Sequence, residues 1–270
     1  MTEMEDKNSN IKIISYNIKS FSDDKLDTVR DLLSKCDFLL IQEIWKYDRI
    51  FIETVNREFP GYECIVRSPN DEAAESLGRL SGGVGIMFKN NIECNVEEVK
   101  CESKRLCALK LEIEELDIML INVYMPCYTG IINGDLVEYN EVTNEINQLI
   151  LSSRSQHAII GGDFNTDISR NNAQTRSLIS FADEGKLCLC LNHREADVPY
   201  THIPIRGENS TIDHFLTSQN LCDSLRVYKA MFVHNNFSDH IPLYLELNID
   251  ISYVQMSENF KIGNTNWKKM

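Results

Sequence analysis

Basic charge is what this sequence has least of for its size. Lys and Arg number 27 against 41 Asp and Glu, a net charge of −14. A protein that grips duplex DNA through a broad electrostatic face is normally basic, so tight non-specific binding of that kind is disfavoured. Net charge is a whole-molecule sum, however, and clustered carboxylates at a metal site add to it. Brief, local contacts to an anionic polymer are compatible with it. Apolar runs of membrane-spanning length are missing, and Met1-Thr-Glu-Met-Glu-Asp-Lys7 is too polar for a signal peptide. Paired cysteines are missing as well: nine are scattered, the number is odd, and no Cys-x-x-Cys exists for zinc or redox work. Cys188 and Cys190 alternate in a strand-like run, where small hydrophobes explain them. Repeats and low-complexity tracts are absent. These absences lead to the expectation of an intracellular protein, nuclear or cytoplasmic, with reduced thiols and no membrane association. At 270 residues the chain is long enough for one sizeable domain.

What is present centres on Ala158-Ile-Ile-Gly-Gly-Asp-Phe-Asn165. The apolar start reads as a short buried strand. Gly161 and Gly162 then let the backbone turn sharply or approach a ligand closely. Asp163 and Asn165 follow, spaced so that both can face the crevice beyond the strand ends, where ligands sit in layered α/β folds. Alone, the octet would read as a turn in which Asp163 or Asn165 caps a helix. Other strand ends make the difference.

In chain order, residues 1–10 are polar and expected to be disordered. Ile11-Lys-Ile-Ile-Ser-Tyr-Asn17 is a strand ending on Asn17. Ser22, Asp23 and Asp24 start a helix that continues at Leu26, Val29 and Leu33. Phe38-Leu-Leu-Ile41 is a buried strand running into Gln42-Glu43, and Ile52, Val55 and Phe59 mark a helix stopped by Pro60-Gly61. Residues 62–67 read as a strand and 68–81 as a long surface loop. Residues 82–88, 92–99, 105–113 and 116–124 are strand-like, the last ending on Tyr124 before Pro126. A helix over 136–150 leads into the octet. Another over 173–184 closes at Gly185, a residue suited to the left-handed position after a helix. A strand over 187–191 follows, then a hairpin-like unit over 200–216 with Arg206-Gly-Glu-Asn209 at its tip, and a strand over 225–233. Ser238-Asp-His240 precede an alternating final strand to Ile249, and 250–270 lose all periodicity, as a linker would.

Asn17, Glu43, Tyr124, Asp163, Asn165, Asp213, Asp239 and His240 thus all interrupt apolar patterns at strand ends. Together they supply hard oxygens for a magnesium-like cation, amide and hydroxyl donors for an oxyanion, and an imidazole with carboxylate partners. Phosphate-ester hydrolysis uses that set: a Lewis-acid metal, an activated water, and donors fixed where charge develops.

The pieces Ser15-Tyr-Asn17, Ile41-Gln-Glu43, Gly82-Gly-Val-Gly85, Asn122-Val-Tyr124-Met-Pro126, Gly162-Asp-Phe-Asn165, Thr211-Ile-Asp213 and Ser238-Asp-His240 stand in one order along residues 11–249. In that order they resemble the endonuclease/exonuclease/phosphatase superfamily. Within it the wording is most similar to the endonuclease domain of LINE-type (non-LTR) retrotransposons, and Asn266-Trp-Lys-Lys269 resembles the linker toward their reverse transcriptase. The resemblance implies an α/β four-layer sandwich, two packed β-sheets flanked by helices, as in DNase I. It makes 11–249 the domain and 250–270 a linker toward a reverse transcriptase outside this chain.

The resemblance also implies roles. Glu43 would be the principal Mg²⁺ ligand, with Mn²⁺ as an alternative ion, Asn17 beside it and Asp239 as an additional ligand. His240 and Asp213 would form a pair. Either His240 deprotonates water, or it sits protonated against the phosphate while Asp163 is the base. Asn165 would hold the phosphate or orient the water, and Tyr124 would donate to a phosphate oxygen. Thr201, Ser238 and Arg206 would be substrate contacts, Arg206 at the hairpin tip toward DNA. His202 and His214 lie near that hairpin and are weaker candidates. The implied reaction is Mg²⁺-dependent nicking of one DNA strand by a monomer, leaving a 5′-phosphate and a 3′-hydroxyl that primes reverse transcription. Two competing readings are hydrolysis of inositol phosphates or phospholipid head groups, which the acidity favours, and a non-catalytic binding domain, which the intact constellation disfavours.

Overall fold

Burial on both sides of the strands decides the architecture. The computed structural model describes residues 9–68, 81–113, 116–127 and 134–249. In β1 (Ser9–Asn17), Ile11 and Ile13 enter one apolar cluster while Ile14 and Tyr16 enter another on the opposite face. Side chains alternate across a strand, so a strand buried on both faces requires a packed layer on each. α1 (Leu26–Leu33), β2 (Phe38–Gln42), α2 (Asp48–Glu58), β3 (Tyr62–Arg67) and β4 (Val84–Lys89) follow. Next come β5 (Asn95–Val99), β6 (Leu106–Ile113), β7 (Leu116–Tyr124), α3 (Gly134–Ser153) and β8 (His157–Asp163). The described chain ends with α4 (Ala173–Glu184), β9 (Leu187–Leu189), β10 (Ala196–Asp197), β11 (Asp213–Ser218), β12 (Leu225–Ala230) and β13 (Leu243–Ile249).

Seven strands form one mixed sheet in the order β10-β12-β13-β1-β2-β4-β3, and six form a second, β5-β6-β7-β8-β11-β9. Ile13, Phe38, Leu40 and Leu245 of the first meet Leu109, Leu120, Ile159 and Phe215 of the second between the sheets. Behind the first sheet, Ile14, Leu39 and Ile41 pack on Val29 and Leu32 of α1 and Phe51 and Val55 of α2. Behind the second, Met119, Ile121 and Ile160 pack on Tyr139 and Ile146 of α3 and Leu178 of α4. The result is the expected sandwich of two sheets between two helical layers. No described helix is long and apolar enough to cross a membrane.

Four local expectations need correction. Gly161 and Gly162 do not turn: both lie inside β8, and what approaches them is protein rather than ligand. A Cβ at Gly161 would sit 2.3 Å from the Phe215 ring, and one at Gly162 (φ 152°) 1.9 Å from the Val123 carbonyl oxygen. Gly185 keeps right-handed helical backbone, φ −77°, and Lys186 takes the left-handed position with φ 51°. The run after α4 leaves the strand at Leu189, because Cys190–Asn192 wind into a 3₁₀ turn. Before β11, the expected hairpin has no regular strands. It is a loop closed by one antiparallel bridge between His202 and Ser210, with Gly207 at φ 105° near its tip. The polar lead up to residue 8, most of the loop at 68–81 and the linker at 250–270 lie outside the described residues; β1 itself begins at Ser9.

One polar contact crosses the apolar space between the sheets. Asn122 of β7 donates through Nδ2 to the carbonyl oxygens of Ile41 (2.9 Å) and Gly85 (2.7 Å) in the opposite sheet. Its Oδ1 accepts from Gln42 Nε2 at 2.7 Å, and the same nitrogen reaches Ser15 Oγ at 3.1 Å. All three side chains are buried, with Asn122 and Gln42 fully so. Replacing one member leaves its partners dehydrated and unpaired, which costs about 1–3 kcal/mol per group. Asn122→Leu is therefore expected to lower unfolding stability by at least about 1–3 kcal/mol. Urea denaturation checks this; an unshifted midpoint would remove the bridge from the account of stability.

Candidate active site

The strand ends that carry polar residues all meet at one edge of the sandwich. β1 and β2 are parallel, with Asn17 opposite Gln42, and Glu43 follows directly. β7 and β8 are parallel, with Tyr124 opposite Asp163. β11 runs antiparallel to β8, so its first residue, Asp213, faces Asp163. β13 runs antiparallel to β1, and Leu243 pairs Ser15, which brings the preceding Ser238–His240 to the same edge. Parallel strands thus contribute their C-terminal ends and antiparallel strands their beginnings.

Asp163 is the hub. Its Oδ2 accepts from Asn17 Nδ2 at 2.9 Å, its Oδ1 accepts the Asn165 backbone N–H at 2.8 Å, and His240 Nε2 lies 3.9 Å from Oδ2. Behind the ring, Asp213 takes His240 Nδ1 at 2.9 Å and 3.2 Å. Glu43 Oε1 accepts from Asn17 Nδ2 and from the Tyr124 hydroxyl, both at 3.0 Å. Glu43, Tyr124, Asp163, Asn165, Arg206, Asp239 and His240 line a cleft of about 540 Å³, and Lys19, Arg170 and His202 share its walls.

Burial and charge act against each other here. Desolvation alone would push the His240 pKa down; the carboxylates of Asp213, Asp163 and Asp239 outweigh it and raise it to about 10. Desolvation, reinforced by the Asp213 charge, pushes Asp163 up to about 7, against the pull of His240 and Asn17. Burial would also raise Asp239, but hydrogen bonds from His202 and Lys19 hold it well below the usual carboxylate range. The metal-free site therefore favours an imidazolium at His240 over neutral imidazole.

Strained backbone surrounds the cleft. Lys19, Ser20, Glu43, Trp45 and Asn165 have positive φ, between 49° and 86°, although none is glycine. Such conformations persist only where neighbours over-determine them. Here Gly82 and Gly83, themselves at φ 80° and 90°, offer carbonyls to the N–H groups of Trp45 and Ile44. Ser20 N–H bonds the Glu43 carbonyl, and Asn165 Nδ2 donates to the Met125 carbonyl at 2.8 Å.

Three sequence candidates stand behind the cleft, not in it. Thr201 is fully buried and cannot touch substrate; its Oγ1 accepts the N–H groups of Ile212 and Asp213, which fixes Asp213. The Ser238 hydroxyl is committed too, donating to the Asn17 carbonyl and accepting from the His240 N–H. Asn17 turns its amide nitrogen to the two carboxylates and its oxygen to the Lys19 N–H, so it ties Glu43 to Asp163. His214 is also structural, buried with Nε2 at 2.7 Å from the Thr166 carbonyl oxygen. Sequence reasoning missed Lys19, placed by its position two residues beyond Asn17, and Arg170 and the Gln42–Asn122 bridge, which only the pairing of distant segments reveals.

The donor set suits a hard divalent cation. Glu43 supplies a cleft carboxylate, and Asp239 Oδ1 is buried without a hydrogen-bond partner among the described residues. Asp163, Asp213 and His240 form one cluster of close ligand atoms, and His202, Asp239 and His240 another.

A family profile described as endonuclease-reverse transcriptase matches residues 118–244, which carry Tyr124 and every site residue from Asp163 to His240. Over residues 118–244 the chain is thus similar to an endonuclease family, and its fold is that of solved AP and retrotransposon endonucleases. Similar solved structures include an AP endonuclease from Leishmania major (TM-score 0.70, 16% identity, 89% of this chain and 88% of that one). The endonuclease domain of TRAS1, a telomere-specific non-LTR retrotransposon, aligns at TM-score 0.66 and 16% identity over 88% of this chain and 99% of that one. A 3′ phosphatase from Neisseria bound to a product DNA hairpin aligns at TM-score 0.67 and 18% identity over 88% of this chain and 100% of that one. No curated protein sequence matches the chain.

The pairing predicts a measurable charge state. In metal-free protein the His240 ring should stay protonated through neutral pH, since its pKa lies above the ordinary 6.5. Asp213→Asn removes the main opposing charge, so the ring should lose its proton at lower pH. An NMR titration of the histidine side chains reads both, and an unmoved His240 transition in the variant would refute the attribution.

Proposed function

We propose that the chain is a divalent-metal-dependent phosphodiesterase that nicks one strand of DNA, leaving a 3′-hydroxyl and a 5′-phosphate. The observation that carries this is the convergence of Asn17, Glu43, Tyr124, Asp163, Asp213 and His240, from both sheets, on one cleft edge. Glu43 and Asp239 would hold the ion, which when bound supplies Lewis-acid stabilisation of the phosphate oxygens. Asp163, with its raised pKa and buried setting, is the base that takes a proton from water. The water oxygen attacks phosphorus, the bond from phosphorus to O3′ breaks, solvent protonates the leaving O3′, and Asp163 returns the proton it took to solvent. His240, protonated and backed by Asp213, faces the phosphate charge that develops; Tyr124 and Asn165 orient the same group. The loop around Arg206 stands at the cleft wall, where it would bias the position of the nick.

The similar solved structures, an AP endonuclease, a retrotransposon endonuclease and a DNA-bound 3′ phosphatase, support nucleic-acid phosphoester chemistry over a binding role. We place residues 11–249 as the catalytic domain and read the chain as a retroelement endonuclease segment. The net charge of −14 favours a second reading, a small phosphate ester as substrate.

Supercoiled plasmid separates these. With Mg²⁺ the protein should yield nicked circles whose ends are extended by a polymerase, and EDTA should stop it. Glu43→Gln should raise the Mg²⁺ concentration needed, and Asp163→Asn should cut turnover by about 10²–10⁴. Because His240 and Asp213 act together, the double variant His240→Ala, Asp213→Ala should be scarcely worse than His240→Ala. Intact plasmid beside phosphate release from inositol phosphates would replace the nuclease reading with the phosphatase one.

A further inference from the structure

Lys19 is held more firmly than a half-exposed surface lysine needs to be. It sits in the turn after β1 at φ 50°, a conformation that side chains with a Cβ rarely adopt. Its N–H donates to Asn17 Oδ1 at 3.1 Å. Its carbonyl accepts from Lys25 Nζ at 2.7 Å, and the same nitrogen also bonds the Ile18 carbonyl at 2.6 Å. Lys25 is itself only 6% exposed, so a second lysine is buried to clamp this turn from below. The next residue, Ser20, is locked by its N–H to the Glu43 carbonyl at 2.7 Å.

All of that fixes where the Lys19 ammonium emerges: in the wall of the cleft shared with Glu43, Tyr124, Asp163 and His240. There it is ion-paired to Asp239 Oδ2, and its side chain stays 44% exposed. A simple surface pair would not require a strained residue braced at three points, since exposed pairs contribute little to stability. A cation aimed at a substrate anion would.

We propose that Lys19 is a phosphate-binding residue of this site, its ammonium passing from Asp239 to a non-bridging oxygen of the phosphate ester. This rests on the reading of the cleft as a phosphoesterase site, but not on DNA as its substrate. The ammonium is a compact, strongly hydrated point charge with three donors, suited to a phosphate oxygen. By standing on Asp239 before substrate arrives it also holds that carboxylate in place.

Lys19→Met keeps the stem and removes the charge, and Lys19→Arg restores a cation. Binding of a labelled DNA duplex in EDTA, followed by anisotropy across salt concentrations, needs no turnover. Lys19→Met should weaken binding and flatten the log–log salt slope by about 1, with Lys19→Arg recovering most of the slope. With Mg²⁺, kcat/KM for nicking should fall about 10²-fold in Lys19→Met. Circular dichroism and the thermal midpoint should match the unaltered protein, because the clamp on the turn is made by backbone atoms. Unaltered protein that nicks plasmid beside a Lys19→Met variant of equal slope and equal kcat/KM overturns the proposal alone. Unaltered protein that hydrolyses an inositol phosphate but not DNA overturns the nuclease reading; a fall in that hydrolysis with Lys19→Met then upholds the proposal, and no fall overturns it. Failure to bind or cleave either probe overturns both.

Discussion

Apolar packing holds the two sheets together but does not set their offset, because the hydrophobic effect has no direction. The amide of Asn122 does. Its two donated bonds end on backbone oxygens of the other sheet, at Ile41 and Gly85, and backbone cannot swing to follow a displaced partner. Two residues beyond Ile41 stands Glu43, and two residues beyond Asn122 stands Tyr124, which bond each other at 3.0 Å. The buried amide and the cleft contact are successive steps of one registration between sheets. Gln42 lies between them, facing the same interior through its bond to Asn122. A sandwich without this bridge could slide by an ångström at small cost in buried area, and the site would lose its geometry before the fold lost its stability.

The same logic runs outward from the edge. Asn17 spans Glu43 of one sheet and Asp163 of the other with a single amide nitrogen. Ser238 fastens the segment before β13 to the Asn17 carbonyl, and Thr201 fastens the residues that lead into β11. Asp213 and His240 thereby come from segments that do not pair with each other, yet meet within hydrogen-bond distance. Positions that look like substrate contacts by their proximity in sequence to the cleft serve instead to hold the contacts still. That division explains why so many polar residues at this edge are buried: they satisfy each other, not a ligand.

Much of this was legible in the chain itself. Apolar runs that stop on a polar residue, as at Asn17, Glu43, Tyr124 and Asp163, marked strand ends and a shared crevice, and the strand-like run at 116–124, ending before Pro126, matches β7 to the residue. What was not legible has physical causes. Gly161 and Gly162 read as a turn because sequence does not show that Phe215 and the Val123 carbonyl occupy the space a Cβ would need. Thr201 and Ser238 read as contacts because a hydroxyl's partner lies elsewhere in the chain. The loop at 202–210 read as a hairpin because turn residues at Gly207 and Asn209 fix a reversal without requiring paired strands around it. Lys19 carried no pattern at all; its significance comes from backbone strain and from a buried lysine six residues on.

The charge of the molecule and the charge of the cleft are separate problems. The cleft is lined by Glu43, Asp163, Asp167, Glu208 and Asp239 against Lys19, Arg170, Arg206 and the His240 imidazolium, so without a metal the acids outnumber the cations by only one. Arg170 is further occupied by Asp167 at 3.6 Å, and Lys19 by Asp239. A divalent ion at Glu43 would reverse that balance locally, within a low-dielectric wall where charge is felt most strongly. Under the proposed reading the ion then adds to productive binding as well as to the chemistry. Under that reading an acidic protein with such a site would make only short-lived contacts with nucleic acid away from the cleft, and its discrimination between phosphoesters would rest on the few cations at the cleft edge.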